Sequence, residues 1–252
     1  MKRFIGIIQF LTRIPIPIEI GFDEDFHKST RYFPLVGFIL GICYCIVGRV
    51  TMLFFNDYIT AVVIVLSTVL LTGGLHLDGV GDTFDGLYSY RDKERILEIM
   101  KDSRLGTNAL LAILFVILLK IGFIYTLLQQ QKLWGIILMP VIARTMQVVA
   151  CYKGKTPRNK GMGNLFIGKV SKVSLSLAVV LAMIITIATI FLFNGLDGML
   201  LWKVLGVIII VQVFVKLFEK SVYQKIDGIT GDILGCICEL VELMICIGLC
   251  LI

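Results

Sequence analysis

Seven stretches of this chain, at about 33–55, 59–77, 108–128, 133–151, 173–194, 199–218 and 229–252, run apolar for roughly the length that crosses a bilayer core about 30 Å thick. Inside lipid the backbone has no water to bond to, so such runs form helices that satisfy their own N–H and C=O groups. Strands are excluded, because the runs are continuous rather than alternating and far longer than about 10 residues. With 58% hydrophobic and 17% charged residues among 252, this is not a soluble globular enzyme, a disordered tail or a nucleic-acid-binding module. The expected fold is therefore all-α: one polytopic integral membrane bundle over residues 1–252, of about seven transmembrane helices. No internal repeat divides it.

Ahead of the first run, Phe4, Ile7, Ile8 and Leu11 fall at helical spacing and predict a short amphipathic helix lying in the membrane interface, with Lys2, Arg3 and Arg13 toward lipid headgroups. Its apolar core is too short for a signal peptide, and Arg13, Pro15 and Pro17 stand where a cleavage site belongs, so it is expected to remain on the protein. The basic residues alternate. Five precede the first run, five lie in the second connection and six in the fourth, while the first, third and fifth connections hold at most one each. The positive-inside rule then places the N-terminus and the even connections in the cytoplasm and the C-terminus outside. The expected location is the cytoplasmic (inner) membrane, multi-pass, with lipid as a partner and no nucleic acid. Seven cysteines without a CxxC pair argue against a disulfide framework or a zinc site.

Against this apolar background a few polar segments require explanation. Gly73 to Gly86 contains Asp78, Asp82 and Asp85 at i, i+4 and i+7, three carboxylates on one helical face with no lysine or arginine in the segment. A hard divalent cation relieves their repulsion, and Mg²⁺ characteristically binds one or two carboxylates together with substrate phosphates. The alternative is a solvated acidic helix end, against which the five glycines weigh, since they let a backbone approach a ligand closely. Before the third run, Asp102 offers a further ligand, Ser103 and Thr107 can contact phosphate oxygens, and Arg104 presents a bidentate fork; Asp102 or Ser103 is equally suited to cap the helix that follows.

The fourth connection carries Lys153, Lys155, Arg158 and Lys160, with no acidic residue anywhere between Asp102 and Asp197. Lys155 and Arg158 suit a diphosphate, or else simply anchor the loop to anionic lipid. At the start of the seventh run Asp232 stands between Gly231 and Ile233, with Glu239 and Glu242 deeper on the same face and Arg144 as the natural partner for one of them. All these segments fall on the side assigned to the cytoplasm. The residues thus predict one cytosol-facing, Mg²⁺-dependent site for a phosphorylated substrate, with Asp78, Asp82, Asp85, Asp102 and Asp232 as candidate metal ligands.

The blocks GGLHLDGVGDTFDG, MKDSRLGT, RNKGMG and DGITGDILG, set behind an N-terminal LTRIP, resemble the cobalamin synthases, a family of adenosylcobinamide-GDP ribazoletransferases. The resemblance covers essentially the whole chain; Asn108-Ala109 departs from it where a second glycine is expected. It implies transfer of the cobinamide phosphate of adenosylcobinamide-GDP to the 3′-hydroxyl of α-ribazole or its 5′-phosphate, with release of GMP and a requirement for Mg²⁺. On that reading Asp78, Asp82 and Asp85 are catalytic, His76 is a candidate base, and Ser103, Arg104, Lys155 and Arg158 bind the GDP phosphates. The oligomeric state is open, a homo-oligomer included. Two rivals are testable. A CDP-alcohol phosphotransferase shares the D-x-x-D-G element at Asp82 to Gly86, but this chain has Ser89-Tyr90 and Cys236 where that pattern wants Ala-Arg and a last aspartate. A cation-coupled transporter would use Arg144, Glu239 and Glu242 at membrane depth as a relay.

Overall fold

The computed structural model describes residues 2–21 and 23–252. Its helices are α1 (Lys2–Leu11), α2 (Phe33–Thr51), α3 (Asp57–Thr72), α4 (Leu75–Leu87), α5 (Lys93–Ile99), α6 (Thr107–Gln129), α7 (Gly135–Cys151), α8 (Lys172–Asn194), α9 (Gly198–Ile226) and α10 (Gly231–Cys250), with 3₁₀ turns at Phe26–Tyr32 and Met162–Leu165. Among the described residues there is no strand.

Six of the seven expected runs each become one helix, and contacts at the two ends of the bundle show which helix ends lie together. At the far end, Asp57 at the start of α3 accepts from Gln129 at the end of α6, and the α10 carbonyls of Leu249 and Cys250 accept from Lys132 and Gln130 at 3.0 and 3.1 Å. At the opposite end, the last carbonyl of α7, Cys151, accepts from Gly168 at 2.9 Å just before α8, and Tyr223 near the end of α9 holds the Lys155 amide at 2.7 Å. Five of the seven, in α2, α6, α8, α9 and α10, are long and apolar enough to cross a bilayer by length and composition. The 16 residues of α3 and 17 of α7 are shorter. The brevity of α7 is tolerated because it is the central helix: every residue except Val149 is buried by protein. Gly37 and Gly41 of α2 make that burial possible, since a Cβ at Gly41 would stand 2.8 Å from the Ile137 Cα and one at Gly37 would collide with the carbonyl of Pro140.

The second run departs from its expected course. Residues 59–77 do not form one helix: Gly73 and Gly74 both take positive φ, 65° and 71°, a conformation nearly free only for glycine, and the chain turns by 90°. The acidic segment is therefore not a straight continuation of α3 but a separate helix, α4, packed against the N-terminal halves of α6 and α10.

The N-terminal helix forms as expected and buries Gly6, Ile7, Ile8 and Leu11, but Arg3 and Arg13 turn to protein. Arg3 binds Asp23 at 2.6 Å and Asp25 at 3.2 Å, and the Arg13 side chain lies against Gly73. Deep in the bundle, Arg144 pairs with Glu242, the partnership expected from the sequence. A second cation, Lys120 of α6, joins it, donating to Glu239 at 2.7 Å and Glu242 at 2.6 Å. Two cations and two anions, all four buried, thus neutralise one another.

Candidate active site

Backbone contact between α4 and α10 assembles the acidic centre. A Cβ on Gly79 would stand 2.6 Å from the Asp232 carbonyl oxygen, and one on Gly235 would stand 3.3 Å from the Cα of His76. Only glycines permit this approach, which sets Asp78 and Asp82 of α4 beside Asp232 of α10. Burial, then the facing carboxylates of Asp232 and Asp78, push the Asp82 carboxyl up to about 7. Asp78 is exposed and makes no side-chain hydrogen bond among the described residues. The cap of α10 is Thr230, whose hydroxyl accepts from the Ile233 amide at 3.3 Å; Asp232 is free of that task. Asp232 uses Oδ2 toward Arg158 at 3.0 Å and Thr230 at 3.1 Å, which leaves Oδ1 without a protein donor among the described residues.

The cationic loop reaches this centre from the end of α7. A Cβ on Gly163 would stand 2.7 Å from the Gly231 amide nitrogen, so the loop rests directly on the first residue of α10. Asn164 donates to the Arg158 carbonyl at 2.8 Å, and the Lys155 carbonyl accepts from Ile229 at 2.8 Å, closing the loop over the α9–α10 junction. Arg158, expected to face phosphate, is held by Asp232 and by the Leu97 carbonyl at 3.2 Å, while its buried Nε has no protein partner. Lys155 is exposed and makes no side-chain ion pair among the described residues.

The remaining candidates lie elsewhere or do other work. Asp85, grouped by spacing with the metal ligands, accepts from the Gly106 amide at 2.7 Å and the Ala109 amide at 2.8 Å. Both its oxygens thus serve the unpaired N–H groups and the positive end of the α6 dipole. The cap expected from Asp102 or Ser103 comes instead from another helix. Asp102 grips Arg104 across an exposed turn at 2.5 Å, and that guanidinium holds its carboxyl down at about 2. Neither residue joins the acids of α4, and Ser103 is exposed. His76 lies 2% exposed with both ring nitrogens unpartnered. Cys236, where the phosphotransferase pattern requires an aspartate, packs against Val80 and Val116.

Among the described residues no three His, Cys, Asp or Glu side chains converge on one metal position. The donor set nonetheless suits a hard cation: hydrogen-bond-free oxygens on Asp78 and Asp232, with room for phosphate oxygens to complete the shell, match the few carboxylates that Mg²⁺ takes from a protein.

Residues 3–250 match the family model described as cobalamin-5-phosphate synthase. Three relatives called adenosylcobinamide-GDP ribazoletransferase align over nearly their whole lengths. The protein of Clostridioides difficile is 58% identical over 97% of this chain and 95% of its own; that of Alkaliphilus metalliredigens is 48% identical over 96% and 92%. That of Clostridium novyi is 39% identical over 99% and 96%. No solved structure matches the chain. Matched from its third residue to the last turn of its last helix, the chain belongs to the cobalamin-5-phosphate synthase family.

Proposed function

We propose that the end of the bundle built by α4, the first turn of α10 and the loop after α7 is where the family's transferase reaction, a step of cobalamin biosynthesis, is carried out. The observation that carries this reading is the Arg158–Asp232 pair, which ties the cationic loop to the acidic face and so brings phosphate-binding and metal-binding chemistry to one place. Asp78 and Asp232 would hold Mg²⁺, which when bound supplies positive charge over the non-bridging oxygens of a diphosphate. Lys155 and the unpartnered Nε of Arg158 bind the GDP portion of adenosylcobinamide-GDP. The 3′-hydroxyl of α-ribazole, or of its 5′-phosphate, attacks the phosphorus next to cobinamide; the bond from that phosphorus to the GMP phosphate breaks, and GMP leaves. Asp82, with its affinity for a proton near neutrality, takes the hydroxyl proton. Asp85 and His76 act in position rather than at the reacting atoms.

The basic residues of the N-terminal segment and of the even connections gather at this same end, which supports a cytoplasm-facing site in an inner membrane. Purified protein in lipid-supplemented detergent, given Mg²⁺, adenosylcobinamide-GDP and α-ribazole, should release GMP and form the complete corrinoid in equal amounts. Absence of both products from folded protein, in detergent and in vesicles alike, overturns the reading.

A further inference from the structure

Beside the acidic centre a cavity of about 80 Å³ opens between α1, α2, α4, α7, α10 and the loop after α7. Most of its wall is apolar. Phe10, Phe33 and Phe166 form an aromatic corner there, with Phe166 edge-on to Phe10 at 5.4 Å and to Phe33 at 5.6 Å between ring centroids. Set into this wall are two polar side chains with atoms that have no partner among the described residues. Gln147, 3% exposed, spends its Nε2 on the Leu234 carbonyl at 3.0 Å, which leaves Oε1 buried without a donor. His76 leaves both ring nitrogens so. A buried polar atom without a partner costs about 1–3 kcal/mol, and native structures keep few of them. Three such atoms on two residues of one small cavity mark a place where a ligand completes the bonding.

Asp78 and Asp232 also line the cavity, so whatever fills it adjoins the phosphate chemistry. On the transferase reading, on which this inference rests, two flat rings enter the reaction. The guanine of GDP lies beyond a phosphate and a ribose from the phosphorus under attack. The acceptor's base is carried on the very ribose whose 3′-hydroxyl attacks. Guanine also presents donors and acceptors along most of its edge, and an aromatic corner would strand them. The benzimidazole of ribazole has apolar edges and one free ring nitrogen.

We propose that this cavity is the subsite for the acceptor's base, in which His76 donates to the ring nitrogen, Gln147 Oε1 accepts from a ribose hydroxyl, and Phe166 backs the leading edge of the ring. His76 and Gln147 are then specificity and positioning residues for one substrate of the two. Of the wall, only the loop carrying Met162 and Phe166 lies outside an α-helix, which makes it the side from which a nucleoside enters.

The test is a comparison of acceptors and of KM values with the purified full-length chain. Wild type should use the indole riboside, which lacks the free ring nitrogen, with a KM about tenfold above that of the benzimidazole riboside, the worth of one buried hydrogen bond. Gln147→Leu, which preserves volume, should raise KM for ribazole about tenfold while KM for adenosylcobinamide-GDP and kcat stay within about twofold. Equal use of the two ribosides by wild type overturns the proposal without any variant. So does a Gln147→Leu protein that changes both KM values together or neither. A wild-type protein that turns over no acceptor at all fails earlier and refutes the transferase reading itself, a result separable from the loss of base discrimination.

Discussion

Removing Lys120 should unbalance the buried charge cluster, and the imbalance has a calculable size. In the native bundle Lys120 is the only ion-pair partner of Glu239 among the described residues and shares Glu242 with Arg144, so two positive charges face two negative ones. Lys120→Met leaves Arg144 with Glu242 and strands Glu239. A stranded carboxylate escapes its burial by taking up a proton, which at pH 7 costs about 4 kcal/mol from an ordinary glutamate value near 4.3. That agrees with the roughly 3–5 kcal/mol lost when one partner of a buried pair is removed. For a chain of this size the loss corresponds to a Tm lower by about 6–20 °C. Adding Glu239→Gln restores neutrality, so the double variant should recover most of the loss; a well-packed neutral replacement of a buried pair is often harmless. Thermal unfolding in detergent, followed by circular dichroism, measures all three proteins. GMP release below the lower Tm should persist in the double variant, because these groups hold helices together and take no part in a relay. A double variant no more stable than Lys120→Met refutes the electrostatic account, and a stable but inactive double variant revives the transporter-like role.

Asp82→Asn should abolish turnover while leaving Tm at or slightly above wild type, whereas Asp85→Ala should lower stability by about 1–2 kcal/mol through loss of the α6 cap; equal Tm values for the two would contradict the division of labour between these carboxylates. The pH profile of kcat/KM should fall by about one log unit per pH unit on an acid limb at or below pH 7, as Asp82 takes up its proton. Because that pKa is raised in the folded state, Asp82 also favours folding below its unfolded value near 3.8, an effect lost as pH rises through about 7, and Asp82→Asn should flatten this part of the stability profile. Asp232→Asn should weaken Mg²⁺ activation without unfolding α10, whose cap is Thr230; an unchanged activation curve removes Asp232 from the metal site. Reporter fusions at Asn194 and Gly161, which lie at opposite ends of the bundle, should give opposite locations, and the same location for both would overturn the end-to-end reading of α8.

What could be read from the sequence, and what could not, divides along a physical line. The long apolar helices were legible because lipid imposes a one-dimensional requirement, about twenty apolar residues in a row, that a single window detects. The three aspartates of α4 were legible as one face because helical spacing is also local. Fates set by contacts distant in sequence were not. Nothing near Asp85 announces that it will cap a helix beginning 22 residues later, and spacing alone grouped it with Asp78 and Asp82, whose side chains end in different surroundings. Arg158 looked unneutralised because no acid lies near it in the chain, while its partner waits 74 residues away. Lys120 was the one omission with a readable signal: a lysine in the middle of an apolar run demands an anion, and Glu239 and Glu242 offered two charges to a single arginine. Charge balance within the membrane is therefore a stronger constraint than proximity in sequence. Applied to Lys120, Arg144, Glu239 and Glu242 at once, it yields the 2:2 cluster from the sequence alone. The same counting fails for the acidic centre, where α4, α10 and the loop meet at the edge of the bundle, open to water that screens charge and to cations that balance it.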